Sequence, residues 1–444
     1  MTNSFLQVLI VLSIGIAAIV VLTARYHIHA FFALFIACFI VGLGVQMPGE
    51  MIIVSVKDGF GNIMKSLGFI IVLGTTLGVL LEYTGSTKVM AAFILKKVGE
   101  RHAAFAMSIT GFIVGLPIFC DSGYIVLSGL TNPIAKRTGV SAVIMSVSLA
   151  TGLFSVHCLI PPHPGAAAAA GTIGVDVGKL MLAGILVAIP ALIIGHLWAG
   201  YAGKKIKTVS HEAIATIETF KDQPSVIRSF LPVVVPIILI AVKSFLVIEK
   251  DIAGWWLSLF NFLGDPVIAL SVGVMLAFNC KRNWKKEALG KLLSEGTEKA
   301  GGILVIIGAG GAFGAVLAAT NIGGHFSAAA SLSSMGILFP FLLTFMLKTA
   351  QGSSTVAIIT AASVVQPLLH TLGLESDNGK LLCVLSMGAG SMMISHANDA
   401  YFWVIAKFSG LDMKTMLRVY SVATIFMGLI TFLMVYLLSF ILIP

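Results

Sequence analysis

Residues 150–163 read "ATGLFSVHCLIPPH" and residues 388–401 read "GAGSMMISHANDAY", two polar interruptions of an otherwise apolar chain. Apolar runs of about 20 residues precede and follow both stretches in the same order. The two sets of runs match at an offset of about 235 residues, which places His157 opposite His396 to within one residue. The chain is therefore predicted to consist of two related halves, each with one such interruption.

The composition indicates a membrane protein that crosses the bilayer several times. Of the 444 residues, 58% are hydrophobic and only 11% are charged, unlike the average soluble domain. The net charge of +9 comes from Lys and Arg in short connections between apolar runs, a pattern that sets membrane orientation. We therefore expect an all-α polytopic protein in a lipid bilayer and do not expect nucleic-acid binding.

The cysteines give no sign of a disulfide framework or a metal site. Most of the five lie inside apolar runs, and none shows paired spacing. We expect them to be packing residues, and we predict neither a metal nor a cofactor.

Basic residues alternate between equivalent connections of the two halves. Residues 83–102 contain four Lys or Arg, whereas the equivalent residues 320–326 contain none. Residues 279–299 contain six, whereas the equivalent residues 47–66 contain two. Because basic connections face the cytoplasm, this alternation predicts that the two halves have opposite orientations in the membrane.

The predicted organisation is a first repeat at residues 1–202, a linker at 203–229 and a second repeat at 230–444. The linker carries five Lys or Arg and is therefore expected to be cytoplasmic, with both chain termini outside. Each half contains seven apolar runs, which satisfies this topology with seven crossings. Five crossings and a re-entrant hairpin, near 103–135 in one half and near 326–372 in the other, satisfy it equally well.

Two polar stretches have the features of helix starts at membrane depth. In "GLPIFCDSG", residues 115–123, a proline and two glycines surround Asp121, which indicates a hairpin tip; a kinked helix with Asp121 in an external loop is the alternative. "QGSST", residues 351–355, holds the equivalent place in the second half. Small hydroxyl residues ahead of an apolar run favour a helix N-terminus, whose free N–H groups attract an anion.

The other two polar stretches are the interruptions that mark the repeat. Three prolines within residues 161–164 cannot continue a helix, so the backbone is expected to unwind beside His157 and His163, at membrane depth or in a surface loop. The second half has "SHAND" at 395–399. A carboxylate at mid-bilayer costs about 2.5 to 3.5 kcal/mol, so Asp399 requires a cation, a proton or water, which indicates a cavity.

The sequence contains no pattern typical of hydrolytic chemistry or ATP use. GxSxG, HExxH and P-loop patterns do not occur. An intramembrane enzyme that uses Asp121 and the histidines lacks a recognised nucleophile or metal spacing. A channel is less compatible with inverted halves and broken mid-membrane segments, which favour alternating access. We therefore predict a transporter driven by an ion gradient rather than an enzyme.

Four motifs together carry a family resemblance. They are "GLPIFCDSGYIVL" at 115–127, "VHCLIPPHPG" at 156–165, "QGSSTVA" at 351–357 and "SHANDAYFW" at 395–403. In this order and spacing they resemble the gluconate permease family of bacterial secondary transporters. The resemblance extends over essentially the whole chain.

The resemblance implies import of gluconate or a related small sugar acid by proton symport across the bacterial inner (plasma) membrane. It also implies two inverted-topology repeats with re-entrant hairpins, elevator-type motion and a homodimer, and so favours five crossings with a hairpin. The last motif resembles the sugar-acid members more than the branch that carries D-serine. Tyr124 and Tyr401 are bulkier than expected for a gluconate carrier, so a shorter acid such as glycerate is an alternative, as is D-serine.

The resemblance and the polar stretches lead to a hypothesis for the site. The two hairpin tips are expected near mid-membrane, where backbone N–H groups hold the substrate carboxylate and polar side chains bind its hydroxyl groups. The coupled proton is expected on Asp399, Asp121 or His396, because a carboxylate that loses water retains a proton more readily. The expected substrate-binding residues are Asp121, Ser122, Gly123, His157, His163, Gln351, Gly352, Ser353, Ser354, Thr355 and Asn398.

Overall fold

The computed structural model describes residues 5–204, 206, 223–246, 255–281, 284–320 and 334–442. The regular secondary structure of these residues is helical throughout, and they include no strand. Most of the predicted linker at 203–229 lies outside the described residues. So does the start of the predicted second hairpin near 326–372. The fold class of an all-helical protein with apolar helices is confirmed.

The described helices are named here in chain order. In the first half they are α1 (Phe5–Val20), α2 (Ala30–Gly44), α3 (Gly49–Tyr83), α4 (Ser86–Val98), α5 (Ala103–Gly115), α6 (Cys120–Thr138), α7 (Ala142–His157), α8 (Pro164–Ile173) and α9 (Val177–Gly203). In the second half they are α10 (Val226–Leu246), α11 (Trp255–Leu263), α12 (Pro266–Phe278), α13 (Lys286–Ala319), α14 (Leu338–Gln351), α15 (Ser354–Val365), α16 (Asp377–Met392), α17 (Ala400–Ser409), α18 (Met413–Met416) and α19 (Val422–Leu442).

Equivalent helices of the two halves begin at a nearly constant separation along the chain. Ala103 and Leu338, which begin α5 and α14, are 235 residues apart. Pro164 and Ala400, which begin α8 and α17, are 236 residues apart. The offset seen between the apolar runs of the sequence is therefore also the offset between helix starts.

Five segments of the described chain are long and apolar enough to cross a membrane. By length and composition they are Gly49–Tyr83, Val177–Gly203, Val226–Lys243, Lys286–Ala319 and Met413–Leu442. The helices that precede the two predicted tips are shorter, with 13 residues in α5 and 14 in α14. A helix of 13 residues is about 20 Å long, less than a hydrocarbon core of about 30 Å. The chain therefore breaks at these tips after helices too short to cross the core.

The long helices of the two halves, α3 and α13, cross in close contact. They have 35 and 34 residues and form the most extensive contact between described helices. A Cβ atom on Gly59 of α3 would overlap the backbone oxygen of Gly311 of α13. The absence of side chains at this crossing lets the two backbones meet. Elsewhere in the first half α5 and α6 pack on α7, and in the second half α14 packs on both α15 and α16.

Candidate functional site

A cavity of about 480 Å³ lies at the two breaks in the chain, the one between α5 and α6 and the one between α14 and α15. Its walls come from the starts of α6, α15 and α17, the end of α7 and one side of α13. The cavity thus brings together residues from all four polar stretches of the sequence. The predicted site residues that line it are Asp121, Ser122, His157, Gln351, Ser353, Ser354, Thr355, Asn398 and Asp399.

Four helix N-termini converge on this cavity. The first residues of α6, α15 and α17 line it, and Pro164, the first residue of α8, lines it as well. A helix N-terminus carries backbone N–H groups without intrahelical partners and about half a positive charge. The backbone alone therefore makes the cavity favourable for an anion.

The break between α14 and α15 presents an unpaired amide to the cavity. Gly352 has a φ angle of 82° and ends α14 in the left-handed region, and the Ser353 Oγ accepts from the Val356 N–H at 3.2 Å to begin α15. Gln351 lines the cavity and is 7% exposed, yet neither its Nε2 nor its Oε1 has a hydrogen-bond partner. A buried amide without partners is costly, so this side chain is prepared for a polar ligand or water.

Asp121 is the carboxylate that faces the cavity from the first half. It lies in the first turn of α6 and is half-buried. Among the described residues it forms no salt bridge. Its Oδ1 accepts a weak hydrogen bond from the Cys120 Sγ at 4.0 Å. The carboxylate is therefore available to a proton or to a bound cationic group.

Asp399, by contrast, is fully engaged by the protein. Its Oδ2 lies 2.6 Å from the Nζ of Lys348 and also accepts from the Ser395 hydroxyl, while its Oδ1 accepts from the Tyr401 N–H at 3.0 Å. Lys348 is completely buried and donates in addition to the Gly352 carbonyl. This ion pair joins the loop before α17 to the end of α14.

His396 and Asn398 both bind the end of α14. The Asn398 Nδ2 donates to the Thr349 carbonyl at 2.8 Å, and the His396 Nε2 donates to the same carbonyl at 3.2 Å. Asn398 lines the cavity and His396 does not. The last turn of α14 needs such donors for its free carbonyl groups, which gives His396 a structural task.

His157 and His163 pack edge to face and have different surroundings. Their ring centroids are 5.0 Å apart, and His157 lines the cavity with a buried Nδ1 that has no partner. His163 lies behind it and donates from Nε2 to the Gly115 carbonyl at the end of α5, at 2.7 Å. Of the other predicted residues, Gly123 and Gly352 are backbone positions outside the cavity lining.

Aromatic side chains form part of the cavity wall. Phe154 and Tyr401 stack with their centroids 5.8 Å apart, and the Tyr401 hydroxyl donates to the Ala150 carbonyl at 3.1 Å. Tyr124 is completely buried and packs edge-on against Tyr401 at 6.1 Å. Tyr401 therefore narrows the cavity directly, whereas Tyr124 supports it from behind.

The described residues contain no group of three or more His, Cys, Asp or Glu side chains suited to hold a metal ion. All five cysteines are buried free thiols, as expected of packing residues.

A model of the GntP permease family matches residues 7–441, nearly the full length of the chain. The chain belongs to the GntP permease family. Its function class is accordingly that of a membrane transporter rather than an enzyme, and a multi-pass membrane location follows from the family and the apolar helices.

Relatives of this GntP permease are similar along their whole length. The gluconate permease of Pseudomonas aeruginosa is 33% identical over 441 residues, covering 97% of both chains. The high-affinity gluconate transporter of Escherichia coli K12 is 30% identical over 421 residues, covering 93% of this chain and 95% of its own. The D-serine transporter DsdX of the same strain is 30% identical over 448 residues, covering 99% and 100%.

Two solved transporters have a similar fold. The YdaH transporter of Alcanivorax borkumensis superposes with a TM-score of 0.57 at 15% identity, covering 86% of this permease and 87% of that chain. MtrF of Neisseria gonorrhoeae gives a TM-score of 0.53 at 14% identity, covering 86% and 83%. At this level of identity the comparison concerns the fold alone.

Sequence reasoning did not assign Lys348, Lys299 or Phe154 to the site of this permease. Lys348 directly precedes the "TAQGSS" stretch, and its place beside this polar stretch is the sequence feature that could have indicated a buried cation. Lys299 lies on α13, far along the chain from every polar interruption, and reaches the cavity through tertiary packing.

Proposed function

We propose that this permease imports gluconate or a related small sugar acid across the bacterial inner membrane in symport with a proton. Relatives named as gluconate permease and gluconate transporter support the substrate class. The observation that carries the proposal is the convergence of four helix N-termini on a cavity that holds the unpaired amide of Gln351. Such a site suits a ligand with one carboxylate and several hydroxyl groups.

In the proposed complex, the substrate carboxylate lies at the start of α15. The free N–H groups and hydroxyls of Ser354 and Thr355 bind it, because this helix start carries partial positive charge. Substrate hydroxyls bind the amide of Gln351, the ring of His157 and the side chain of Asn398. An amide both donates and accepts, and so does a hydroxyl, so each of these bonds can form in either direction.

The coupled proton is proposed to reside on Asp121. Of the three groups considered from the sequence, Asp399 is paired with Lys348 and the His396 Nε2 is bonded to the Thr349 carbonyl. Asp121 faces the cavity without a cationic partner among the described residues. Closing the site around an anion removes water and adds negative charge, and both changes favour the protonated carboxyl group. Proton and substrate therefore strengthen each other's binding.

The architecture proposed for this transport is a homodimer of chains with two inverted repeats that move as elevators, with re-entrant hairpins at α5–α6 and at α14–α15. The constant offset between helix starts supports the repeat, and the alternation of basic connections supports its inversion. The linker at 203–229 is proposed to be cytoplasmic and both termini to be outside.

Uptake by proteoliposomes tests the proposed function. The purified protein is reconstituted and labelled gluconate is supplied under an imposed pH gradient, acid outside. We expect accumulation against the concentration gradient that disappears when a protonophore removes the pH gradient. Uptake that is indifferent to the gradient would contradict proton coupling, and recovery of a chemically altered product would indicate an enzyme instead.

D-serine is the second candidate substrate, and glycerate is a third. A relative named as a D-serine transporter is 30% identical over the full chain, and the open carboxylate of Asp121 suits an ammonium group. Glycerate fits the narrowing of the cavity by Tyr401. A thermal-shift series with gluconate, D-serine and glycerate at equal concentrations ranks them, because a ligand that binds the folded state more tightly stabilises it more.

Replacing Gln351 by Leu should separate stability from binding. Removal of two unpaired buried polar atoms is expected to leave the unliganded protein as stable or more stable, whereas loss of the substrate hydroxyl partner raises the KM for gluconate by about tenfold or more. The matched control is Gln366→Leu in the 3-10 turn Gln366–Leu368, outside the cavity lining. An unchanged KM in Gln351→Leu would show that the Gln351 amide does not bind the substrate.

A further inference from the structure

The ion pair of Lys348 and Asp399 lies across the wall of the cavity. Asp399 lines the cavity, whereas Lys348 lies behind it, completely buried, with its Nζ 2.6 Å from the carboxylate. A lysine in such a position cannot reach solvent, and its charge acts on the cavity through its electric field rather than by contact with a ligand. The pair is therefore an element of the wall rather than a direct contact for a ligand.

Both members of the pair have further protein partners. Lys348 also donates to the Gly352 carbonyl, and Asp399 also accepts from the Ser395 hydroxyl and the Tyr401 N–H. A buried ion pair persists when its remaining donors and acceptors are satisfied in this way. Its two charges cancel within the wall.

The cancellation matters because the other charged side chains around the cavity do not neutralise Asp399. Asp121 and Asp399 both line the cavity, so two carboxylates face the ligand space. Lys299 is a cation that does line the cavity, but it pairs with Glu295 at 2.7 Å and is 40% exposed, so solvent and its partner screen its charge. Lys348 is thus the cation in the described residues that compensates Asp399.

We infer that Lys348 is the specificity-determining residue for substrate charge: by neutralising Asp399 from behind the wall, it allows the cavity to bind a monovalent anion. With this lysine uncharged, Asp399 would repel the substrate carboxylate, and the helix N-termini and the screened Lys299 would remain as the positive elements of the described wall. The inference rests on the proposed function, since it concerns the charge of the same substrate.

Four forms of the purified protein test the inference by equilibrium binding of labelled gluconate at pH 8. They are the unmodified protein, Lys348→Met, Asp399→Asn and the double variant. Lys348→Met should weaken gluconate binding by about a hundredfold, because an uncompensated carboxylate then faces the anion at short range. Asp399→Asn leaves the lysine charge unopposed and should bind gluconate as tightly or more tightly. The double variant has no net charge in the wall and should recover affinity to within about tenfold of the unmodified protein.

A structural role alone predicts a different pattern. If the pair serves only to hold α14 against the loop before α17, both single variants should lose affinity and the double variant should be no better than Lys348→Met. That result would overturn the inference. Gluconamide, the neutral amide of the same acid, provides a second readout: Lys348→Met should lower the preference for gluconate over gluconamide, and an unchanged preference would also overturn it.

The exposed ion pair of Lys243 and Asp265 supplies matched controls. Its atoms are 3.7 Å apart, both side chains are partly exposed, and neither residue lines the cavity. Lys243→Met and Asp265→Asn should each leave the gluconate Kd within about twofold. If Lys348→Met fails to fold, the sign of the change in Asp399→Asn still decides, because weaker gluconate binding there contradicts the inference. Failure of the unmodified protein to bind any sugar acid would instead refute the proposed function.

Discussion

Replacement of Asp121 by Asn is expected to abolish uphill accumulation of gluconate while leaving exchange across the membrane intact. The amide keeps the shape and the position at the start of α6 but cannot take up and release a proton. With one proton carried per monovalent anion, a pH gradient of one unit sustains about a tenfold accumulation. The variant should reach only equal concentrations on both sides when the membrane potential is clamped at zero.

Two assays in proteoliposomes distinguish the loss of proton coupling from the loss of substrate transport. Gradient-driven uptake should be lost in Asp121→Asn, whereas counterflow, in which unlabelled substrate inside drives entry of labelled substrate, should persist. The control is Asp176→Asn, since Asp176 caps α9 by accepting from the Lys179 N–H and lies outside the cavity lining. Asparagine is an equally good cap, so this control should accumulate substrate normally. Accumulation by Asp121→Asn would assign the proton to another group.

Replacement of Gly352 by Ala is expected to remove both transport and much of the stability. The φ angle of 82° is unfavourable for any residue with a Cβ, and the new atom would overlap the backbone of Asn398. The Gly352 carbonyl also accepts from Lys348, so a shift of this residue disturbs the buried ion pair. We expect a loss of more than about 3 kcal/mol in the free energy of unfolding and no measurable uptake.

Gly373→Ala is a closely matched control for this substitution. Gly373 has a φ angle of 67°, and a Cβ there would meet no atom within 4 Å. It therefore isolates the conformational cost, about 1 to 2 kcal/mol, from the overlap with Asn398. Thermal unfolding in detergent and uptake in proteoliposomes should place Gly373→Ala close to the unmodified protein. Similar losses in both variants would show that the overlap has little effect.

The sequence predicted the breaks in the fold because residue chemistry specifies them locally. Pro117 and the flanking glycines exclude a continuous helix, and the hydroxyls of Ser353 and Ser354 favour a helix start. These are backbone constraints that act within a few residues. Asp121 and Gln351 could be placed at these breaks for the same reason, and their binding roles stay predictions.

The environment of each polar side chain was less predictable. Lys348 and Asp399 are 51 residues apart, and a single lysine in a short apolar helix is also typical of an anchor at the membrane surface. His163 and His396 lie beside breaks, yet both bind carbonyl groups at the ends of short helices. A histidine near an unwound segment serves a ligand or a helix end equally well, and only tertiary packing decides between them.

The four helix starts around the cavity also bear on how readily the protein tolerates sequence change. Every residue except proline has a backbone N–H group, whatever its side chain. Substitutions at the cavity wall therefore leave these donors in place. Random mutagenesis should therefore change the preferred neutral part of a substrate far more often than the requirement for its carboxylate. In the proposed site the helix starts therefore provide a fixed recognition of the acid group, and single substitutions of the other wall residues would change the substrate range.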